Sequence, residues 1–236
     1  MTSISERLQA VKSRLRQAET EAGRAPESVT LIAVSKTQPA DAIREAHAAG
    51  QYAFGENYLQ ESLEKMAALA DLPLKWHFIG PIQSNKTRPI AENFAWVHGV
   101  DRLKIAQRLS DARPAGLPPL NICIEVNVSG EESKGGVEPN EVQALADAIA
   151  QLPGLKLRGL MAIPAPTNDI ALQRQQFRML RELLESLKQR GLALDTLSMG
   201  MSEDFPAAIA EGATIVRIGT AIFGPRIRIQ PPGNPK

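Results

Sequence analysis

The sequence has little of what marks several large classes of protein. A single cysteine, Cys123, excludes an internal disulfide and any metal site built from several cysteines. No window approaches the ~20 apolar residues of a membrane span, and the polar start Met1 to Leu8 lacks the apolar core of a signal peptide. We therefore expect a cytoplasmic protein with no membrane partner.

Charge and aromatic content are equally modest. The 27 Lys and Arg nearly balance the 26 Asp and Glu, and the aromatics are six Phe, two Trp and two Tyr. No basic run is interleaved with aromatics, so nucleic acid is not expected as a partner. His47, His77 and His98 are scattered along the chain and predict no metal site. Cys123 lies in an apolar run, which predicts a buried strand thiol rather than a nucleophile.

What the sequence has is a regular alternation of strand and helix patterns. Ile4, Leu8, Val11 and Leu15 line one face of a predicted first helix. Apolar or β-branched runs follow, separated by helical stripes, and each run but the last precedes a helix-like stretch. The eight predicted strands cover 30–35, 52–54, 76–79, 96–100, 121–128, 156–163, 196–199 and 214–218.

This alternation predicts one α/β domain over residues 1–229. At 236 residues the chain is about long enough for a single (β/α)8 TIM-type barrel, here with an additional N-terminal helix. An open doubly wound sheet is the alternative, because the second and fourth strand patterns are weak. Residues 230–236 are rich in proline and are predicted to form a mobile tail.

Binding groups of such a barrel lie at the carboxyl ends of its strands, so we expect the functional residues just after the predicted strands. Lys36 directly follows the first strand. An amine kept partly neutral there could form a Schiff base with an aldehyde. The alternative is an ordinary lysine that has already reached solvent in the loop before Pro39.

The last two exits have the composition of a phosphate site. Ser202, Gly219 and Thr220 supply hydroxyls and close backbone approach where such barrels usually bind phosphate. Ser202 could instead be a plain helix N-cap. Arg217, on the eighth strand, needs a partner, which could be a ligand's acceptor atom or an acidic neighbour.

The remaining exits add polar and apolar candidates. Asn57 follows the second strand and could hydrogen-bond a ligand, while Met161 on the sixth could pack against a flat ring or fill core. Lys86 adds a cation at the rim, and the loop with Lys134 could form a lid or an ordinary solvated turn. The glycine-rich nucleotide motifs and the serine-hydrolase motif are absent from their required contexts.

Several exits together resemble one family, the pyridoxal phosphate (PLP) homeostasis proteins, which are single-barrel, alanine-racemase-like PLP-binding proteins. The similarity runs in order over nearly the whole chain, and its most specific part is the run from His77 to Lys86. The segments that carry it are Ala33–Lys36, Phe54–Asn57, Trp76–Lys86, Gly159–Met161, Ser198–Ser202 and Val216–Thr220.

The resemblance implies that PLP is held covalently and that the cell's PLP supply is managed, with PLP-dependent apoenzymes as possible recipients. It assigns no catalytic residue. It implies seven PLP-binding residues: Lys36 for the aldimine; Ser202, Gly219 and Thr220 for the phosphate; Arg217 for the pyridine nitrogen; Asn57 and Met161 for the ring.

The chemistry implied for Arg217 argues against vigorous catalysis. Strong PLP enzymes usually pair the pyridine nitrogen with a carboxylate, whereas an arginine disfavours a protonated ring. The racemases that this barrel resembles are longer: they have a second domain, and a partner subunit supplies their catalytic tyrosine. Here twelve residues follow Gly224, and Tyr52 and Tyr58 are the only tyrosines. We therefore expect a monomer without strong turnover; a small PLP racemase or lyase, or a barrel for another phosphorylated ligand, are the alternatives.

Overall fold

A computed structural model describes residues 2–131 and 133–225. Its eight strands are all parallel and form one closed barrel in sequence order, so the open sheet considered above is wrong. The strands are β1 (Thr30–Val34), β2 (Ala53–Glu56), β3 (Lys75–Phe78), β4 (Trp96–Val100), β5 (Leu120–Glu125), β6 (Leu155–Met161), β7 (Thr196–Ser198) and β8 (Ile215–Ile218).

Helices surround the barrel, and a short 3-10 turn (Ser84–Lys86) precedes the fourth. The long seventh helix directs one apolar face to the core, and the residues of that face, Phe177, Leu180, Leu184 and Leu187, are all buried. The helices are α1 (Ile4–Glu21), α2 (Ala40–Ala48), α3 (Leu59–Ala68), α4 (Thr87–Asn93), α5 (Leu103–Ala112), α6 (Val142–Ile149), α7 (Ile170–Gln189), α8 (Phe205–Ala210) and α9 (Thr220–Phe223).

The first helix completes the outer ring. A capping box starts α1, in which the Ser3 hydroxyl accepts from the Glu6 backbone N–H and the Glu6 carboxylate accepts from the Ser3 N–H. The helix packs against α2, α8 and α9. Because α9 has only one turn, α1 occupies the position that a long eighth helix would take. The sequence predicted no helix after the last strand, and α9 corrects that.

The barrel closes where β8 pairs with β1. Thr30 lies opposite Ile215 and Ala33 opposite Ile218, and β1 pairs on its other edge with β2. The exits of β8, β1 and β2 are therefore neighbours at one end of the barrel. This juxtaposition joins the last chemistry-bearing residues of the chain to the first.

The barrel interior has an apolar layer beneath a polar one. Ile32, Ala53, Ile215 and Trp96 pack together across the barrel, separately from the main core between strands and helices. Two residues further along β8, nearer the exits, lies the buried Arg217. The site thus has an apolar floor and a charged group above it.

Two predictions concern the ends and the surroundings of the fold. The predicted tail at 230–236 lies outside the described residues, and the domain bounds 1–229 stay a prediction. No helix in the described part of the chain is long and apolar enough to cross a membrane.

Candidate functional site

Lys36 lies two residues after the end of β1 and is half-buried. Ser35 before it is buried, and its N–H donates to Gly55 O on β2 over 3.0 Å. Continuing the β1–β2 register, in which Val34 faces Gly55, sets Lys36 beside Asn57. The lysine therefore leaves the barrel wall at its carboxyl end, as predicted.

Asn57 has an unsatisfied acceptor at this end of the barrel. Its Oδ1 is buried and accepts no hydrogen bond from any residue of the described ranges. Gly80 permits the close approach of this segment, because a Cβ there would lie 2.5 Å from Asn57 O. A buried amide oxygen of this kind fits a site that a polar ligand completes.

Ser202 and Thr220 line one cavity of about 580 Å³ at the exits of β7 and β8. Ser202 does not cap α8, so that interpretation is wrong. The helix begins at Phe205, and Asp204 holds the N-cap position. The Asp204 carboxylate accepts from the Met201 N–H, which lies before the helix. Both hydroxyl-bearing residues thus border the same space.

Gly219 connects this cavity to the first strand. A Cβ on Gly219 would lie 3.2 Å from Val34 O, two residues before Lys36. The glycine caps α9, whose first N–H groups begin at Thr220. Phosphate-binding groups predicted from the sequence and the predicted covalent lysine therefore lie on adjacent strands.

The second cavity lies on the other side of β1. It measures about 680 Å³ at the exits of β2 and β3, and its lining includes Asn57, Gln83 and Lys86. Since β1 lies between β8 and β2, the two cavities flank the exit that carries Lys36. Lys86 is exposed in the 3-10 turn, as expected for a rim cation.

Arg217 is buried inside the barrel and is held by backbone and hydroxyl oxygens. Nη1 donates to Ser198 O and to Ser198 Oγ, each over 2.6 Å, and Nη2 donates to Ala162 O over 2.9 Å. The suggested ion pair with an acidic neighbour is not found among the described residues. Burial lowers the pKa of this guanidinium to about 10, so it remains a cation at neutral pH.

Two histidines continue the hydrogen bonds of Arg217. Ser198 Oγ lies 2.8 Å from His98 Nδ1, and His98 Nε2 lies 3.0 Å from His77 Nδ1. Burial lowers the pKa of His77 to about 3 and that of His98 well below its ordinary range. Since Ser198 Oγ accepts from Arg217, we assign the Ser198 hydroxyl as donor to His98 Nδ1. The neutral His98 then carries its proton on Nε2 and donates to His77 Nδ1.

Met161 and Cys123 are both core residues in this structure. Met161 is buried at the end of β6, in register with Ser198 and next to Ala162, which accepts from Arg217. Cys123 is fully buried, and burial raises its thiol pKa to about 12, so the predicted inert strand thiol is confirmed. Over the described ranges no three His, Cys, Asp or Glu side chains form a group that could hold a metal ion.

The loop with Lys134 is tied back to β5. Val137 N–H donates to Glu125 O and Asn127 N–H to Val137 O, each over 2.9 Å, while the Asn127 amide donates to Glu131 O. Lys134 N–H in turn donates to Glu131 O. These bonds hold the described residues of the loop around the end of β5.

Glu125 is a group of this site that sequence reasoning missed. It ends β5, and its carboxylate lies between two glycines: a Cβ on Gly99 or on Gly135 would lie 3.3 Å and 3.0 Å from its oxygens. Burial, with a smaller contribution from Asp101, raises the pKa of this carboxyl to about 7, and Arg217 opposes the shift. The one feature of the sequence that could have indicated Glu125 is its position at the end of a strand.

Comparison with known proteins places this architecture in a class. The family model for the alanine racemase N-terminal domain matches residues 7–226. The solved alanine racemase of Corynebacterium glutamicum shares the fold, with a TM-score of 0.68 at 19% identity over 91% of this chain and 60% of that one. The protein is a barrel of the alanine racemase N-terminal domain class.

Closer relatives define the family. A Pseudomonas aeruginosa protein named pyridoxal phosphate homeostasis protein is 67% identical over 96% of this chain and 97% of its own length. That of Escherichia coli K12, with the same name, is 53% identical over 96% and 98%. PipY of Synechococcus elongatus, solved with PLP bound, is 41% identical with a TM-score of 0.83, over 94% of this chain and all of that one. The chain belongs to the pyridoxal phosphate homeostasis protein family.

The raised pKa of Glu125 predicts a pH-dependent stability. The carboxyl binds its proton more tightly in the folded chain, with a pKa of about 7 against an ordinary 4.5. Its contribution to stability is complete below about pH 4.5 and is lost as the pH rises through about 7. Between pH 5 and 8 the wild-type free energy of unfolding should fall relative to Glu125→Gln by roughly 1–3 kcal/mol, since one pKa unit is worth about 1.4 kcal/mol.

Urea unfolding of both proteins without PLP, at each pH, measures this difference. Glu138→Gln is the control, because Glu138 is exposed. A difference between Glu125→Gln and wild type that stays constant from pH 5 to 8 would contradict the assignment.

Proposed function

We propose that this protein binds PLP covalently through Lys36 and serves the supply of PLP rather than its use in turnover. The observation that carries the proposal is the convergence of an amine, two hydroxyls and a buried guanidinium at the exits of β1, β7 and β8. The family membership and the PLP found in PipY support the choice of ligand.

The described residues fit PLP in charge and in hydrogen-bonding capacity. The phosphate would be held by the hydroxyls of Ser202 and Thr220 with the backbone at Gly219, since these line or border one cavity. Asn57 offers a buried acceptor that no described group satisfies. Met161 supplies an apolar surface at the end of β6 for the ring.

Bound PLP supplies an aldehyde. The amine of Lys36 adds to the aldehyde carbon, and loss of one water leaves a carbon–nitrogen double bond. Lys36 suits this role by position, because it is half-buried between the two cavities. Schiff-base formation breaks no bond of an amino-acid substrate. The amine of Lys36 is therefore the one reacting group that the protein has to supply for attachment.

Arg217 explains why attachment would not lead to strong turnover. The guanidinium keeps its proton at neutral pH and would disfavour a protonated pyridine nitrogen, which weakens the ring as an electron sink. Its contacts with Ser198 and Ala162 fix it in the barrel interior, which supports a constant charge at that end of the ligand. We expect the protein to act as a monomer. We expect PLP-dependent apoenzymes to be the recipients of its PLP.

The covalent residue can be identified by mass. After borohydride reduction of the PLP-loaded protein, we expect one pyridoxyl group per chain on Lys36. Trypsin would then skip the modified lysine and release residues 25–44 as one labelled peptide. Peptide mass mapping makes the measurement, and unreduced protein is the control.

A label found chiefly on Lys86, Lys134 or another lysine would contradict the assignment to Lys36. Sustained racemisation of an amino acid, or release of a keto acid, by the loaded protein would contradict the second half of the proposal.

Loss of the two hydroxyls should weaken PLP retention. Ser202→Ala and Thr220→Val each remove a hydrogen bond to a charged group, worth roughly 1.5–3 kcal/mol, so dissociation should be about ten- to a hundredfold easier for each variant. Equilibrium dialysis of PLP measures the effect. Pyridoxal, which lacks the phosphate, is the control and should bind wild type and variants alike.

The phosphate assignment fails if the double variant retains PLP as well as wild type does. It also fails if the variants lose pyridoxal as strongly as PLP, because the hydroxyls would then act on another part of the ligand.

A further inference from the structure

A buried ion cluster lies directly beneath the turn that carries Lys36. Lys65 of α3 has a side chain that is only 7% exposed, and its ammonium donates three hydrogen bonds. The acceptors are Ser35 O at 2.7 Å, Glu56 Oε1 at 2.8 Å and Glu61 Oε1 at 2.5 Å. Since an ammonium has three N–H donors, Lys65 is saturated and cannot be the amine that attacks an aldehyde.

The two carboxylates of the cluster each bind a neighbour of Lys36. Glu56 Oε1 accepts from the Ser35 hydroxyl over 2.6 Å, and Glu61 Oε1 accepts from the Thr37 N–H over 2.6 Å. Lys65 bridges both carboxylates. We call Glu56, Glu61 and Lys65 the clamp, because together they hold the residues on both sides of Lys36.

The backbone that the clamp holds has an unfavourable conformation. Gln38 N–H donates to Ser35 O over 3.0 Å, which closes a turn with Lys36 and Thr37 at its centre. Thr37 has φ 63°, in the left-handed region, at the turn position where glycine is usual. A β-branched residue there is a rare outlier that surrounding contacts must stabilise.

The clamp joins α3 to the barrel at a high cost in desolvation free energy, because the charged groups of Glu56 and Lys65 are buried. Glu56 is fully buried, and its second oxygen, Oε2, has no hydrogen-bond partner among the described residues. Burial raises the pKa of this carboxyl, although Lys65 and Ser35 oppose the shift. Apolar side chains of similar size would often stabilise a fold as well as a buried ion pair does, so the ion pair is better explained by what it positions.

We propose that Glu56, Glu61 and Lys65 are positioning residues that fix the Ser35–Gln38 turn and so present the amine of Lys36 to the aldehyde of PLP. The proposal rests on the proposed function at Lys36. It assigns to Glu61 in particular the task of holding Thr37 in its left-handed conformation.

The test is a double-mutant cycle between Glu61 and Thr37. Glu61→Ala removes the acceptor of the Thr37 N–H, and the rate constant for PLP attachment should fall about tenfold (1.4 kcal/mol). Glu61→Gln keeps an oxygen acceptor and should restore most of that rate. In a Thr37→Gly background glycine adopts positive φ without penalty, so Glu61→Ala should then cost less than about threefold.

Attachment rates are measured by stopped-flow absorbance of the full-length protein, with borohydride mapping to confirm the labelled residue and thermal unfolding for stability. Glu61 is 30% exposed, so its variants should fold. Glu64→Ala, an exposed change on the same helix, is the matched control and should leave the rate unchanged.

A merely structural clamp would lower the unfolding temperature of Glu61→Ala and leave its attachment rate at the wild-type value, which would overturn the proposal. An equal loss of rate in the wild-type and Thr37→Gly backgrounds would overturn it as well. If wild type carries no label on Lys36, the proposed function falls and this proposal falls with it; if wild type is labelled there and the cycle shows no coupling, only the clamp is refuted.

Discussion

The pairing of β8 with β1 is the constraint on which the rest of the structure depends. It closes the barrel, and it brings Gly219 close to Val34, the last residue of β1, two residues before Lys36. Without closure, the amine at the start of the chain and the hydroxyls near its end would belong to separate edges of a sheet. The α1 helix supports this junction from outside by packing on α2, α8 and α9.

The second determinant of the site is the buried charge of Arg217. Its hydrogen bonds to Ser198 and Ala162 join β6, β7 and β8 from within, and the neutral pair His98 and His77 continues them across the barrel. The same charge opposes the rise in the Glu125 pKa. In the proposed complex, a cation that persists at neutral pH would disfavour protonation of the pyridine nitrogen.

Much of this arrangement could be predicted from the sequence, because local patterns control it. Alternating apolar runs indicated the eight strands, and β4 matches its predicted bounds from Trp96 to Val100. The rule that groups collect at strand exits selected Lys36, Asn57 and Thr220. Their roles toward PLP remain predictions, since they depend on the ligand.

The rest could not be predicted because it depends on contacts between distant segments. His77 looked isolated, and only the pairing of β3 with β4 brings His98 within 3.0 Å of it. Nothing in the sequence indicated Glu61, because its contact with the Thr37 N–H joins α3 to the turn after β1. Ser202 had the sequence of an N-cap, but α8 begins three residues later.

In the proposed complex, one PLP molecule spans the exits of β1, β7 and β8, and a crystal structure of the PLP-loaded protein is the decisive measurement. We expect continuous electron density from Lys36 Nζ to the aldehyde carbon, the phosphate within hydrogen-bond distance of Ser202 and Thr220, and the pyridine nitrogen facing Arg217. PLP bound elsewhere, or a phosphate directed toward Asn57 and Lys86, would contradict it.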